Sequence, residues 1–276
     1  MKKILLLTML AFVCAGIRAE TYTWTGGNGN WETAANWSPN TGYPQNADDV
    51  AILPNGADSI DSIAVTVNNR VAIGSLTVGG TGYGKMTLEF KTGLVTNSVS
   101  GAVTVKSGGT LTHFGPNTEM THRLNLEAGS LTVESGGAIN VDNKGYGDHC
   151  GPGKARCISC YSGESSQYWG WGSTNLYGSI REPLDYGSGA NAELTQPGVV
   201  SGGGAMTLIV AGALTVNGTI SSTAKDGMSI RGGTGGSILI RCGSLVGAGT
   251  GTITARGSVT SVGGSFGGGN GRIAVY

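Results

Sequence analysis

Residues 147–160 read GDHCGPGKARCISC, placing three cysteines, a histidine, an aspartate and a lysine close together in a chain otherwise poor in reactive side chains. Several chemistries use such groups. A Cys₃His zinc site would draw on His149, Cys150, Cys157 and Cys160, but adjacent residues in extended chain point apart, and the paired C-x₂-C units of zinc ribbons are missing. A phosphate-binding loop needs Gly-x-x-x-x-Gly-Lys-Ser/Thr ahead of a helix; here Asp148 holds the first glycine position and Ala155 follows Lys154. Gly145-Tyr146-Gly147-Asp148 is a single imperfect copy of a calcium-binding repeat that works only in tandem. The Cys157–Cys160 pair has no helix N-terminus in prospect to lower a thiol pKa for redox work. What remains is a loop stapled by a disulfide, with Cys150, Cys157 and Cys160 as candidates and the pairing open. Cys242 continues the alternation of Ile238 and Ile240 and is expected to face the core as a small hydrophobe. No metal and no cofactor is expected.

A second group with chemical potential follows at once: Tyr161, Tyr168, Trp169, Trp171, Tyr177 and Tyr186, beside Glu164, Glu182 and Asp185. Aromatic faces with nearby carboxylates hold sugars, which makes Tyr168, Trp169, Trp171 and Asp185 possible ligand contacts. The competing reading is that these rings pack their segment onto the rest of the fold. No catalytic residue is assigned. Asp48, Asp49, Asp58 and Asp61 read as turn residues, and Arg231, Arg241, Arg256 and Arg272 have no acidic partner nearby in sequence. His113 follows Leu111 at strand alternation and reads as a satisfied core or edge histidine rather than a base.

The first twenty residues bear on which chemistry is available. Lys2 and Lys3 precede an apolar run too short to span a bilayer, and a small-residue site ends at Ala19, so residues 1–19 read as a secretory leader. Export favours disulfides over reduced thiols. Cleavage removes Lys2, Lys3 and Arg18 from a chain with 17 basic and 17 acidic side chains, leaving a net charge of −3. So small a charge argues against nucleic acid as a partner, and no second apolar stretch is long enough for a membrane span.

The elements that must position these groups are strands. Apolar residues recur as i, i+2 pairs, including Val103/Val105, Leu131/Val133, Leu214/Val216, Ile238/Ile240 and Ile273/Val275, and no helical period follows the leader. Glycine, 51 of 276 residues, is more than double its usual share of about 7% and is expected to punctuate short strands. One phrase repeats: Gly74-Ser-Leu-Thr-Val, Gly109-Thr-Leu-Thr, Gly129-Ser-Leu-Thr-Val, Gly212-Ala-Leu-Thr-Val and Gly243-Ser-Leu-Val. A second, Gly137-Ala-Ile, Gly218-Thr-Ile and Gly251-Thr-Ile, follows some of the copies. Such a repeat suits the coils of an all-β parallel β-helix better than a sandwich. Trp24, Trp31 and Trp37 lie outside the repeat and read as an end cap, with a sugar-stacking platform as the alternative.

Trp24-Thr-Gly-Gly-Asn-Gly-Asn-Trp31, then Asn36-Trp37, Pro44 and Asp48-Asp49-Val50, resemble the opening motif of bacterial secreted proteins with autotransporter-type β-strand repeats. Gly187-Ser-Gly189, Gly202-Gly-Gly204 and the closing run from Gly267 to Tyr276 are similar to a glycine-rich group within them. The resemblance implies a right-handed parallel β-helix at or shed from the cell surface, and implies no catalytic residues.

The expected organisation is a leader (1–19), a Trp-rich cap segment (20–49), solenoid coils (50–141), a long Cys/aromatic-rich loop insertion (142–204) and further coils (205–276). The expected function is non-catalytic: an exported solenoid, extracellular, on the cell surface or periplasmic, acting by adhesion, glycan contact or structure. The alternative is a β-helix polysaccharide lyase or hydrolase. Expected partners are extracellular glycan, other surface proteins, or a second copy through the C-terminal coil, where Ile273 and Val275 should face the core.

Overall fold

A computed structural model of the chain describes residues 19–154, 161, 176–190, 200–226, 232–259 and 267–276. Seventeen strands run through them. They begin with β1 (Thr21–Trp24), β2 (Gly29–Asn30), β3 (Trp37–Ser38), β4 (Val50–Leu53), β5 (Ser62–Val67), β6 (Ala72–Ile73), β7 (Ser75–Val78) and β8 (Lys85–Phe90). There follow β9 (Asn97–Val105), β10 (Gly109–His113), β11 (Leu124–Val133), β12 (Ala138–Asn140) and β13 (Ala205–Val216). The last are β14 (Thr219–Ser221), β15 (Ser237–Val246), β16 (Thr252–Thr254) and β17 (Arg272–Val275). The helical content among the described residues is one 3₁₀ turn, Ala34–Asn36. The protein is all-β, and no described helix is long and apolar enough to cross a membrane.

The strands form two sheets. The first runs β17-β15-β13-β11-β9-β7-β4-β1-β3, with β6 also on β9; the second runs β16-β14-β12-β10-β8-β5-β2. From β9 onward consecutive strands alternate between the sheets, and pairing is parallel everywhere except β1 with β3. Register stacks like side chains on like. In the first sheet Leu76, Val103, Leu131, Leu214 and Leu245 stand in one line. In the second, Val65, Leu88, Leu111, Ile139, Ile220 and Ile253 stand in another. Alternation sends these lines into one shared core, and each strand contributes only a few apolar side chains to it.

The repeated phrase now has a physical cause. In the first sheet a glycine sits where the register shifts along β9, β11, β13 and β15: a Cβ at Gly129 would lie 2.9 Å from the Gly101 carbonyl oxygen, and one at Gly243 would lie 3.0 Å from that of Gly212. Successive chains meet backbone to backbone there, so a side chain has no room. The Gly109 phrase belongs elsewhere. Leu111 pairs with Ile139, so that phrase joins Gly137, Gly218 and Gly251 in the second sheet. Its place in the first is taken by Gly101-Ala-Val-Thr-Val, which carries no leucine and does not stand out in the sequence.

The two ends of the first sheet differ. At β1 and β3 the indoles of Trp24, Trp31 and Trp37 are buried, at 2% exposure or less, so none offers a face for sugar stacking. At the other end Leu245 is 48% exposed although Leu214, one strand earlier in the same line, is fully buried. Ile273 and Val275 pair with Ile238 and Ile240 and so share the core-facing lines, yet they too stay open, at 43% each. The expectation that they face the core is right in direction and wrong in burial, because no described strand covers β17 from outside. Cys242 takes the place after Val210 in its line and is half-buried for the same reason.

Candidate functional site

The candidate residues fall into two groups. Cys157, Cys160, Tyr168, Trp169 and Trp171 lie outside the described residues, as do Arg231 and Glu164. Cys150 is half-buried with a free thiol, and Asp185 is half-buried. Among the described residues no three His, Cys, Asp or Glu side chains converge as a metal would require.

Asp185 belongs to a layer formed by segment 176–190, which packs against the start of β15 and the end of β10. Ser237, at the start of β15, donates its hydroxyl to the Asp185 carbonyl at 2.5 Å and receives the Tyr161 hydroxyl, also at 2.5 Å. Tyr177 donates to the Tyr186 carbonyl at 2.6 Å and lies 2.8 Å from the Ser188 hydroxyl, which accepts from the Gly153 amide at 3.0 Å. The Tyr186 hydroxyl bonds the carbonyl of His122. Tyr161 and Tyr186 are fully buried. Burial pushes both phenols up to about 12, and Tyr177 is raised further for the same reason, so all three remain neutral donors at any physiological pH. The guanidinium of Arg272 lies 4.7 Å over the Tyr161 ring and donates to its carbonyl at 3.3 Å. For Tyr161, Tyr177 and Tyr186, packing accounts for the aromatic groups; their rings and hydroxyls are engaged.

The segment is held this closely by glycine. A Cβ at Gly187 would lie 2.3 Å from the Thr234 carbonyl oxygen, one at Gly203 2.2 Å from that of Ser222, and one at Gly236 1.9 Å from that of Gly204. The amides join in turn: Tyr146 to Gly187, Gly187 to Gly203, Gly203 to Thr234. Residues 187–190 are buried and integral to the packing. The sequence signal was present, in the Gly187-Ser-Gly189 and Gly202-Gly-Gly204 runs, but glycine runs read equally well as loops.

His113 sits beneath the layer, fully buried, its ring stacked on Tyr186 at 5.5 Å between centroids. Its Nδ1 donates to the Phe114 carbonyl at 2.8 Å, and its Nε2 accepts the Ala205 amide at 3.3 Å. Those two bonds fix the neutral tautomer, and burial lowers its pKa to about 3. With both nitrogens occupied it has no free position for proton transfer. Two of the late arginines do find acids, though from far along the chain: Arg241 pairs with Glu182 at 2.6 Å, and Arg256 with Asp226 at 2.6 Å. Lys144 reaches Glu89 at 3.0 Å.

Apolar side chains also stand open at the β16–β17 end, where Ile273 and Val275 are each 43% exposed. An open groove of about 460 Å³, lined by Ile253, Thr254, Ala255, Arg256, Asn270, Gly271 and Ile273, runs between these two strands. The outer edges of β16 and β17 pair with no described strand. No protein-family model, curated protein or solved structure matches the chain.

Proposed function

We propose that the chain is a non-catalytic, exported solenoid that works through contact, with a structural, self-assembling role as the best-supported form. The alternation of parallel strands between two sheets is what a parallel β-helix produces, and the handedness rule for parallel crossovers makes it right-handed. The β1–β3 end, filled by three indoles, serves as its cap. The observation that carries the functional reading is the opposite end, where Leu245, Ile273 and Val275 present apolar lines to solvent beside two strand edges that no described strand pairs. Such a surface suits another rung of the same geometry, supplied by a second copy. Light scattering on the chain beginning at Glu20 tests this: assembly that grows with concentration is expected, and a monomer at millimolar concentration would reject it.

Extracellular glycan and other surface proteins remain the proposed external partners, with Tyr168, Trp169, Trp171 and Asp185 as contacts. A glycan array run beside a calcium-supplemented lyase assay separates this from catalysis, since unsaturated sugar products would show an enzyme. If a glycan binds, Trp169→Ala and Trp171→Ala should each weaken it by about 1–3 kcal/mol.

A further inference from the structure

Asp49 is fully buried, an unusual place for a carboxylate. Its Oδ2 accepts the Gln45 amide at 3.0 Å, the Asn46 amide at 2.9 Å and the Asn46 side-chain amide at 3.1 Å. Its Oδ1 accepts one donor, the backbone nitrogen of Glu20, at 3.2 Å. All four donors are neutral amides, and none of the ion pairs among the described residues includes Asp49. A buried carboxylate held only by neutral donors lacks the cation that usually accompanies such burial.

The surroundings add negative charge. The Tyr22 hydroxyl donates to Glu20 Oε2 at 2.7 Å, and burial, then the carboxylates of Glu20 and Asp49, raise that phenol to about 12. Parallel register sets Thr21 opposite Val50, which brings Glu20 beside Asp49. The Asp49 carbonyl in turn accepts the amides of Gly74 and Ser75, at 2.8 and 3.1 Å, tying this corner to the next strand.

We propose that the missing cation is the chain's own new terminus: cleavage after Ala19 turns the Glu20 nitrogen into an α-ammonium that pairs with Asp49. The inference rests on the leader reading of residues 1–19. Hydrolysis of the Ala19–Glu20 bond consumes one water, leaves a carboxylate on Ala19, and leaves the Glu20 nitrogen protonated within hydrogen-bond distance of Asp49 Oδ1. Before processing, the same nitrogen is an uncharged amide. Removal of the leader therefore completes a buried ion pair that holds β1 to the corner ahead of β4, and the mature cap is tighter than that of the precursor.

The test uses two forms of the chain, one beginning at Glu20, released from a fusion that leaves no extra residue, and one carrying a short Gly-Ser extension that keeps nitrogen 20 an amide. Each is made with and without Asp49→Asn. The Glu20 form should melt about 4 °C or more above the extended form. Asp49→Asn also disturbs the Gln45 and Asn46 bonds, so it lowers both melting points, but it should lower that of the Glu20 form further and erase the gap. Equal losses in both backgrounds overturn the ion pair. If the variant does not fold, the two unsubstituted forms decide the matter, and identical melting points reject it. Intact mass of exported protein reports separately on the leader reading: a chain starting at Glu20 supports the natural event, and another start overturns it.

Discussion

The indole nitrogen of Trp37 donates to the carbonyl of Trp31 at 2.7 Å while the two rings meet edge to face, 4.8 Å between centroids. Trp31 passes its own N–H to the Pro44 carbonyl at 3.0 Å, and Trp24 meets Trp37 at 5.1 Å. Both buried indole N–H groups are thus satisfied, and the rings fill the core at the end where β3 turns antiparallel. Trp37→Ala should destabilise the chain by about 3–5 kcal/mol through the cavity it leaves. Trp37→Phe keeps most of the ring and should lose about 1–3 kcal/mol for the orphaned carbonyl and smaller volume. Denaturant titration of both variants checks the order; a Trp37→Ala protein as stable as the parent would remove these rings from the core.

Glycines with the same chemistry should differ sharply in tolerance. A methyl at Gly203 or Gly236 meets backbone carbonyls of neighbouring chain segments, whereas one at Gly27 meets nothing within 4 Å. Gly203→Ala and Gly236→Ala should each cost more than about 2 kcal/mol, because backbone rather than a movable side chain must give way. Gly27→Ala should stay within about 0.5 kcal/mol of the parent. Similar losses at all three would mean that the glycine layer is not close-packed.

His113 predicts an acid sensitivity with a definite sign. Its folded pKa, about 3, lies below the unfolded value near 6.5, so the unfolded chain binds the proton first. Stability is therefore intact above about pH 6.5 and falls as pH drops toward 3, by roughly 1 kcal/mol at pH 5.5. His122, also lowered by burial and by Lys91, adds in the same direction. Asp226, held low first by its bond from Arg256, contributes only below about pH 4 and leaves the upper window clear. Stability measured from pH 7 to 5 should fall in the parent and fall less in His113→Gln; parallel slopes would contradict the buried neutral ring.

Ile273 offers the sharpest test of assembly. It ends the line through Met206 and Ile238 and is 43% exposed, so a lysine there should barely disturb the fold. A charge at an open strand edge opposes pairing. Ile273→Lys should shift assembled species toward monomer in light scattering while leaving the melting point within about 2 °C. Unchanged assembly would place the contact elsewhere.

The period-two apolar pairs, with no helical period against them, by themselves determined the all-β character and the core set: Val103, Leu131, Leu214 and Ile238 are buried where alternation puts them. That much is local, because strand side chains alternate whatever lies next door. Whether a line of side chains ends in core or solvent depends on a neighbouring strand, so Leu214 and Leu245 carry nearly the same phrase and opposite burial. The Gly109 phrase looked like its companions because leucine and threonine repeat in both sheets; only pairing separates them. Tyr161, Tyr177 and Tyr186 gave no hint of their partners, since Ser237 lies 76 residues from Tyr161 and His122 lies 64 from Tyr186. The same holds for Asp49, which reads as a turn residue until parallel register brings Glu20, 29 residues away, to its buried oxygen. Hydrogen bonds across such separations form only once the chain has stacked, because the stacking fixes which backbone lies beside which.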